Sequence, residues 1–265
     1  EPSPRAVQLA GADPLAPAEA ARRNVDLGAD IIDINMGCPA KKVCNVLCGS
    51  ALLTDEPLVA RILAAVASAV NVPVTLKTRT GWDRDHRNAV NIARIAEASG
   101  IAAIAVHGRT RADFYTGDAE YETIRSIKDS VRIPVIANGD IDTPAKARAV
   151  LDFTRADSVM IGRAAHGAPW IFRDVNGQIT SSKKITPLSR SARRDIILEH
   201  LDSLYAFYGE DTGVRVARKH LGWYLTKLQH GTELRRELMA AENSSLQFAL
   251  TRRGLDGWAD GVDAA

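Results

Sequence analysis

Six short β-branched runs alternate with Ala-rich amphipathic stretches over the first 163 residues, and this rhythm constrains the fold more than any other feature of the chain. The runs are AVQLAG (6–11), DIIDINMG (30–37), VPVTLKTR (72–79), IAAIAVHGR (101–109), IPVIANGD (133–140) and ADSVMIGR (156–163). Between them the spacing of apolar residues predicts helices near 16–27, 56–69, 87–99, 119–128 and 143–152. Repeated βα units imply a parallel sheet covered by helices. At roughly 30 residues per unit the spacing suits an α/β barrel, which closes with eight strands. Six are visible. The opening EPSPR has neither an initiator Met nor a signal-peptide pattern, so the other two units are expected upstream. The expected fold class is α/β: a TIM (β/α)8-type barrel lacking its first two strands in this chain, followed by a small all-helical domain. The alternative is an open doubly wound sheet of six strands, disfavoured because no GxGxxG turn opens any helix.

Composition narrows the partners. The 265 residues carry 34 Lys and Arg against 32 Asp and Glu, a net charge of +2, so attraction to an acidic polymer has to come from local clustering. No apolar run approaches the roughly 18 residues of a membrane span, so no membrane partner is expected. The three cysteines, Cys38, Cys44 and Cys48, fall within one short segment rather than forming a disulfide framework, which points to a reducing, cytoplasmic setting. They contain no CxxC pair, and the histidines show no ligand spacing, so no metal site is expected. A monomer is expected.

The strand ends carry the polar chemistry: Gln8; Asn35 and Cys38; Lys77 and Arg79; His107 and Arg109; Asn138 and Asp140; Arg163. In a barrel these ends converge on the face where active sites form. ANGDI (137–141) and IGRAA (161–165) set Gly139 and Gly162 where backbone N–H groups can approach an anion. With two strands upstream they would follow strands seven and eight, where barrels commonly bind phosphate. Lys77 is suited to neutralising an electron-rich ring or an enolate, and His107 to hydrogen-bonding the same ligand.

After the sixth run the rhythm stops. QITSSKKITPLS (178–189) reads as a linker, and helices are expected near 190–207, 213–228 and 232–241. The organisation is therefore a barrel over 1–177, a linker over 178–189, a helical domain over 190–250 and a poorly structured tail over 251–265. Arg190, Arg193 and Arg194 open one helix; Arg215, Arg218, Lys219 and His220 crowd another. By composition alone these are solvated helix faces.

Eight ordered blocks resemble the tRNA-dihydrouridine synthases, flavin enzymes that reduce a uridine in the D-loop of tRNA. They are VQLAG, DINMGCPAKKV, GSALL, LKTRTGWD, VHGRTR, PVIANGDI, MIGRAAHGAPWIF and RKHLGWY, and they span nearly the whole chain. The GCPAKK, TGW and RKH…WY variants are most similar to the bacterial B-type subfamily. The resemblance implies FMN over the barrel mouth, with Gln8, Lys77 and His107 against the flavin. Asn138, Gly139, Asp140, Gly162 and Arg163 would hold its phosphate, and NADPH or NADH would be the reductant. Cys38, at the GCP position, would donate the proton; an unperturbed thiol, with a pKa of about 8.5, is mostly protonated near neutrality. Asn35, Arg79, Arg109 and Arg111 would contact the substrate. The resemblance also turns the basic helices, Arg190, Arg193, Arg194, Arg215, Arg218, Lys219 and His220, into a tRNA-binding surface. The family's N-terminal Pro-Met-Ala-Gly turn is absent from this chain. Two other readings compete: an FMN barrel acting on a free pyrimidine, and a non-catalytic tRNA-binding protein. Cys44 and Cys48 read as small loop residues, the sharper alternative being oxidative pairing with Cys38.

Overall fold

The computed structural model describes residues 2–40, 44, 47–180, 186–228 and 232–259. Six parallel strands form one sheet: β1 (Ala6–Leu9), β2 (Ile31–Met36), β3 (Val74–Arg79), β4 (Ala103–His107), β5 (Val135–Asn138) and β6 (Ser158–Met160). Their spatial order is their sequence order, β1-β2-β3-β4-β5-β6. A doubly wound sheet reverses direction from its first strand and would not give this order. The fold is of the TIM-barrel type, with six of the eight strands of a closed barrel in this chain.

The helices that follow the first five strands are α1 (Leu15–Asp26), α2 (Glu56–Ala67), α3 (Ala89–Ala98), α4 (Glu122–Ser130) and α5 (Pro144–Thr154). Each lies within a few residues of its expected position. The start of α2 is set locally: Asp55 Oδ1 accepts from the Leu58 N–H at 2.9 Å, and Pro57 occupies the first turn, where its missing donor costs nothing.

Strand alternation divides the sheet into two faces. Ile32, Ile34, Met36, Val74, Leu76, Ile104 and Val106 are buried, and the helices bury matching stripes such as Val59, Ile62, Leu63 and Val66 of α2. Truncating the fully buried Ile104 to Ala would cost about 2–5 kcal/mol. The intervening residues, among them Asp33, Asn35, Thr75 and Lys77, point to the other face and stay partly open. That face holds the polar side chains.

The chain divides into two compact units, residues 1–141 with 145–161, and 142–144 with 162–265. The division thus falls ahead of the expected boundary at 177. Residues 178–180, expected in a linker, lie in a helix, α6 (Ile171–Thr180); residues 181–185 lie outside the described set. Then come α7 (Arg190–Tyr208), α8 (Glu210–Lys227), α9 (Thr232–Ala240) and α10 (Ser244–Ala259). Ser189 caps α7 by accepting from the Ala192 N–H at 3.1 Å. Gly209, at φ 74°, turns the chain from α7 into α8.

The described part of the tail, 251–259, is helical and belongs to the core, which corrects the expectation of a poorly structured segment. Thr251 and Leu255 are buried, and Leu255 packs with Ile197 and Tyr224. Gln247, fully buried in α10, accepts from Tyr205 Oη at 2.8 Å and donates to the Leu238 carbonyl at 3.1 Å. Glu210 caps the same helix by accepting from the Ser244 N–H at 2.5 Å, and accepts from the Ser244 hydroxyl at 2.7 Å. The amphipathic signal of this helix is broken by Gly254 and Gly257, which hid it in the sequence.

Candidate active site

The open face of β1, β2 and β3 carries a continuous chain of hydrogen bonds. Thr75 Oγ1 donates to Asp33 Oδ1 at 2.6 Å, Gln8 Nε2 donates to Asp33 Oδ2 at 2.6 Å, and Asn35 Nδ2 donates to Gln8 Oε1 at 2.7 Å. The other end of the Asn35 amide accepts from the backbone N–H groups of Gly37 and Cys38, both at 3.0 Å. Two donors on Oδ1 and an acceptor beyond Nδ2 fix the amide orientation. This is an Asx turn, and it carries the chain from β2 into Cys38.

Cys38 is clamped from the other side as well. Its carbonyl accepts from Ser50 N–H at 3.1 Å, from Ser50 Oγ at 2.9 Å and from Cys44 Sγ at 3.6 Å. Ser50 is fully buried in the 3-10 turn Gly49–Thr54, which gives the GSALL block its physical role. Cys38 as a residue is partly exposed. Cys38 and Cys44 are both free thiols.

Lys77 pairs in register with Asn35, so their side chains stand next to each other on the open face. Desolvation, reinforced by Arg79, pushes the Lys77 pKa down to about 8, with Asp33 pulling the other way. Among the described residues its ammonium makes one long contact, 3.5 Å to the Thr78 carbonyl, and no ion pair. A desolvated cation with no ion-pair partner at contact distance suits an anionic or electron-rich ligand.

On β4, His107 is buried and its pKa falls to about 3, first through desolvation and then through Arg79, Lys77 and Arg109. It is neutral at any physiological pH. Arg109 Nη1 lies 3.3 Å from His107 Nε2, and a guanidinium can only donate. His107 Nε2 is therefore the acceptor, and the ring proton sits on Nδ1.

Arg109 also grips Asp140 with both Nη atoms, at 3.0 and 2.6 Å, and donates to the Gly117 carbonyl at 2.5 Å. Asp140 accepts in addition from the Ala119 N–H at 2.8 Å. Its φ is 48° and that of Gly139 is 125°, so the turn after β5 needs two successive residues in left-handed backbone. At Gly139 a Cβ would stand 2.6 Å from that of Ala119, which leaves glycine as the fitting residue. Asn138 Nδ2 donates to the Met160 carbonyl at 2.8 Å and ties β5 to β6.

Several expected ligand-contacting side chains are spent inside the protein. Asp140 is committed to Arg109. Arg79, 2% exposed, donates to the carbonyls of Gly37, Thr110 and Phe114 at 2.8, 2.9 and 2.8 Å. Arg109, 3% exposed, holds the following loop in the same way. Both arginines shape loops where substrate contact is expected. Arg111 lies over the Trp82 ring, 4.4 Å from its centroid. Sequence reasoning missed Asp33, Thr75 and Ser50; the period-2 alternation that places Asp33 on the face of Asn35 was the available signal for the first.

In the second unit, Gly162 and Arg163 follow β6 and are exposed, and a Cβ at Gly162 would meet nothing within 4 Å. Of the basic helix residues, Arg190 lies over Trp258, Arg193 over Trp170, and Arg194 pairs with Asp195 and Asp256 at 2.8 and 2.9 Å. Arg218 donates to the Ala241 carbonyl at 3.0 Å. His220 is half-buried among His200 and Trp223. Arg215 and Lys219 are exposed, one turn apart on α8.

A family model described as dihydrouridine synthase matches residues 1–253. The chain belongs to the dihydrouridine synthase family. It is 58% identical over 253 residues to the tRNA-dihydrouridine synthase B of Pseudomonas aeruginosa, covering 96% of this chain and 76% of that protein. It is equally 58% identical over 265 residues to the enzyme of that name from Xanthomonas axonopodis pv. citri, covering 100% of this chain and 80% of the relative. The Vibrio parahaemolyticus enzyme of the same name is 50% identical over 258 residues, with 97% and 79% covered. Among solved structures, a putative mandelate racemase/muconate lactonizing enzyme from Labrenzia alexandrii superposes with a TM-score of 0.50 at 15% identity, over 67% of this chain and 46% of that one. That likeness is one of fold alone. Membership makes this protein a tRNA-modifying oxidoreductase, consistent with a polar strand-end face that carries a thiol. Among the described residues no group of three or more His, Cys, Asp or Glu is arranged to hold a metal, and no helix is long and apolar enough to cross a membrane.

Proposed function

We propose that this protein reduces a uridine of the tRNA D-loop to 5,6-dihydrouridine, with FMN bound at the strand ends and NADPH or NADH as reductant, in the cytoplasm and as a monomer. The observation that carries the reading is the register pairing of Asn35, whose amide holds the Cys38 N–H, with Lys77, a desolvated cation that has no ion-pair partner among the described residues.

The residues fit a flavin. Lys77 supplies positive charge against the electron-rich ring, Gln8 lies on the same face, and neutral His107 offers an Nδ1 proton to a ring or substrate oxygen. The turn Asn138–Asp140 and the residues Gly162 and Arg163 serve the phosphate, Asp140 by holding the turn in shape through Arg109. FMN, when bound, supplies a hydride to uracil C6. Cys38 holds a proton at Sγ and delivers it to C5, so that one hydride and one proton saturate the double bond. Asn35 has a second Nδ2 hydrogen to orient the uracil, its first being fixed by Gln8. Arg79 and Arg109 act on the substrate through the loops they hold, Arg111 from its stack on Trp82, and Lys77 steadies charge on the reacting oxygens. Arg215 and Lys219 are the leading phosphate contacts of a basic helical surface that also includes Arg190, Arg193, Arg194, Arg218 and His220.

The test is nucleoside mass spectrometry on unmodified tRNA incubated with the full-length protein, FMN and NADPH, beside Cys38→Ala. Uridine heavier by one H2 in the wild type, and nearly absent in the variant, is expected. Consumption of NADPH with no modified nucleoside would defeat the substrate assignment.

A further inference from the structure

The second unit carries, within its own residues, an open pocket of about 400 Å³, in the size range of small-ligand sites. Five of its eleven lining residues carry aromatic rings. His166 stacks on Trp223 with centroids 3.9 Å apart and planes 5° from parallel. His220 meets Trp223 edge-on at 5.2 Å, and His200 meets His220 edge-on at 4.8 Å. Tyr224 also lines the pocket and bonds His200 Nδ1 through its hydroxyl at 2.9 Å. Three of the chain's six histidines thus line one cavity that the reduction chemistry does not use.

The lining selects its occupant. His166 already covers one face of Trp223, so a flat aromatic guest would meet the remaining ring edges and imidazoles of the lining. Imidazole edges and the Ser203 hydroxyl offer donors and acceptors to polar atoms around such a ring. An anion is disfavoured, because Glu199 stands in the lining and burial holds His200 and His220 below the usual histidine range. Cationic side chains lie on the same helix face as the pocket's Trp223: Arg215, Lys219 and Trp223 fall at intervals of four along α8, with Lys219 Nζ 4.9 Å from the Trp223 ring centroid. Charge for a phosphate followed by a ring pocket is the outline of a nucleotide in a polynucleotide.

We propose that this cavity receives a second, unstacked nucleobase of the tRNA, with Arg215 and Lys219 on its flanking phosphates. The proposal rests on the tRNA reading above and adds a docking site to it. It would let the helical unit fix the register of the tRNA by one captured base.

The full-length protein would be titrated with adenosine, uridine and, separately, ribose 5-phosphate, following the imidazole Hε1 resonances of His166, His200 and His220 by NMR. Saturable shifts of all three with a nucleoside, and none with ribose 5-phosphate, are expected. Ser203→Trp, which fills the cavity from an exposed position, should abolish those shifts and weaken tRNA binding about tenfold, with the melting temperature of the protein retained. Nucleosides that leave all three resonances in place, or ribose 5-phosphate that moves them equally, would overturn the proposal. Shifts produced by a peptide and not by nucleosides would overturn it too. Dihydrouridine formation, measured in parallel, separates the two ideas: product without shifts sinks only the pocket, and shifts without product sink only the reaction.

Discussion

Arg109 holds the carboxylate of Asp140 with two parallel hydrogen bonds while its Nη1 also reaches His107 Nε2. One buried guanidinium thereby sets the turn that follows β5 and the tautomer of the histidine that ends β4. Removing the charge of Asp140 would leave that guanidinium buried and uncompensated. Asp140→Asn keeps a side chain that tolerates the 48° φ, so strain does not confound the result. A loss of about 2–3 kcal/mol in urea denaturation, with weaker FMN binding, is expected. Wild-type stability in the variant would show that the pair is incidental.

His107 gives stability a pH dependence of known sign. Its pKa is about 3 in the folded protein against the ordinary 6.5, so between those values the unfolded chain binds the extra proton. Stability therefore rises with pH through that window and falls on acidification, by about 1.4 kcal/mol per pH unit once well below 6.5. His200 and His220, also shifted down, add to the same slope. Denaturation midpoints from pH 7 to pH 4.5 should fall less steeply in His107→Gln than in the wild type. Equal slopes would remove His107 from the account.

Lys77 sets ligand binding against stability. Its ammonium is desolvated and has no carboxylate within ion-pair distance among the described residues. Lys77→Met should stabilise the ligand-free protein by about 1 kcal/mol at pH 7 and weaken FMN binding at least tenfold. Flavin fluorescence titration and thermal melts measure the two effects. A variant that melts lower and binds FMN normally would reverse the assignment.

Cys44 is buried, and its Sγ lies 3.6 Å from the Cys38 carbonyl and 3.7 Å from Ser50 Oγ. Both contacts are weak, and Ser50 holds the Cys38 carbonyl without help. Under reducing conditions Cys44→Ala should keep dihydrouridine formation within about twofold of wild type and cost about 1 kcal/mol of stability. A collapse of turnover would give Cys44 a part in the chemistry.

The sequence was most informative where one periodicity governs. Strands such as Ile31–Met36 and helices such as Glu56–Ala67 lie where alternation and capping put them, because burial of one face decides both. It was least informative where a side chain's partner is distant. Nothing near Arg79 in the chain announces the Phe114 carbonyl, and nothing near Arg194 announces Asp256, so both read as available cations. The helix Ser244–Ala259 was hidden by its own glycines, and its burial rests on α7 and α9, which only the folded unit brings together. Cys38 could be singled out in the sequence as a chemical group; the Asx turn and the Ser50 clamp that aim it could not.

The strictly sequential order of the sheet governs how it can form. Each strand from β1 to β5 pairs with its immediate successor, so each new hydrogen-bonded ladder closes only the segment between neighbouring strands. Among these six strands none takes a partner more than one unit away. The sheet can grow vectorially, unit by unit, as the ribosome releases it, with Gln8 and Asn35 already joined before the residues of β6 have been translated.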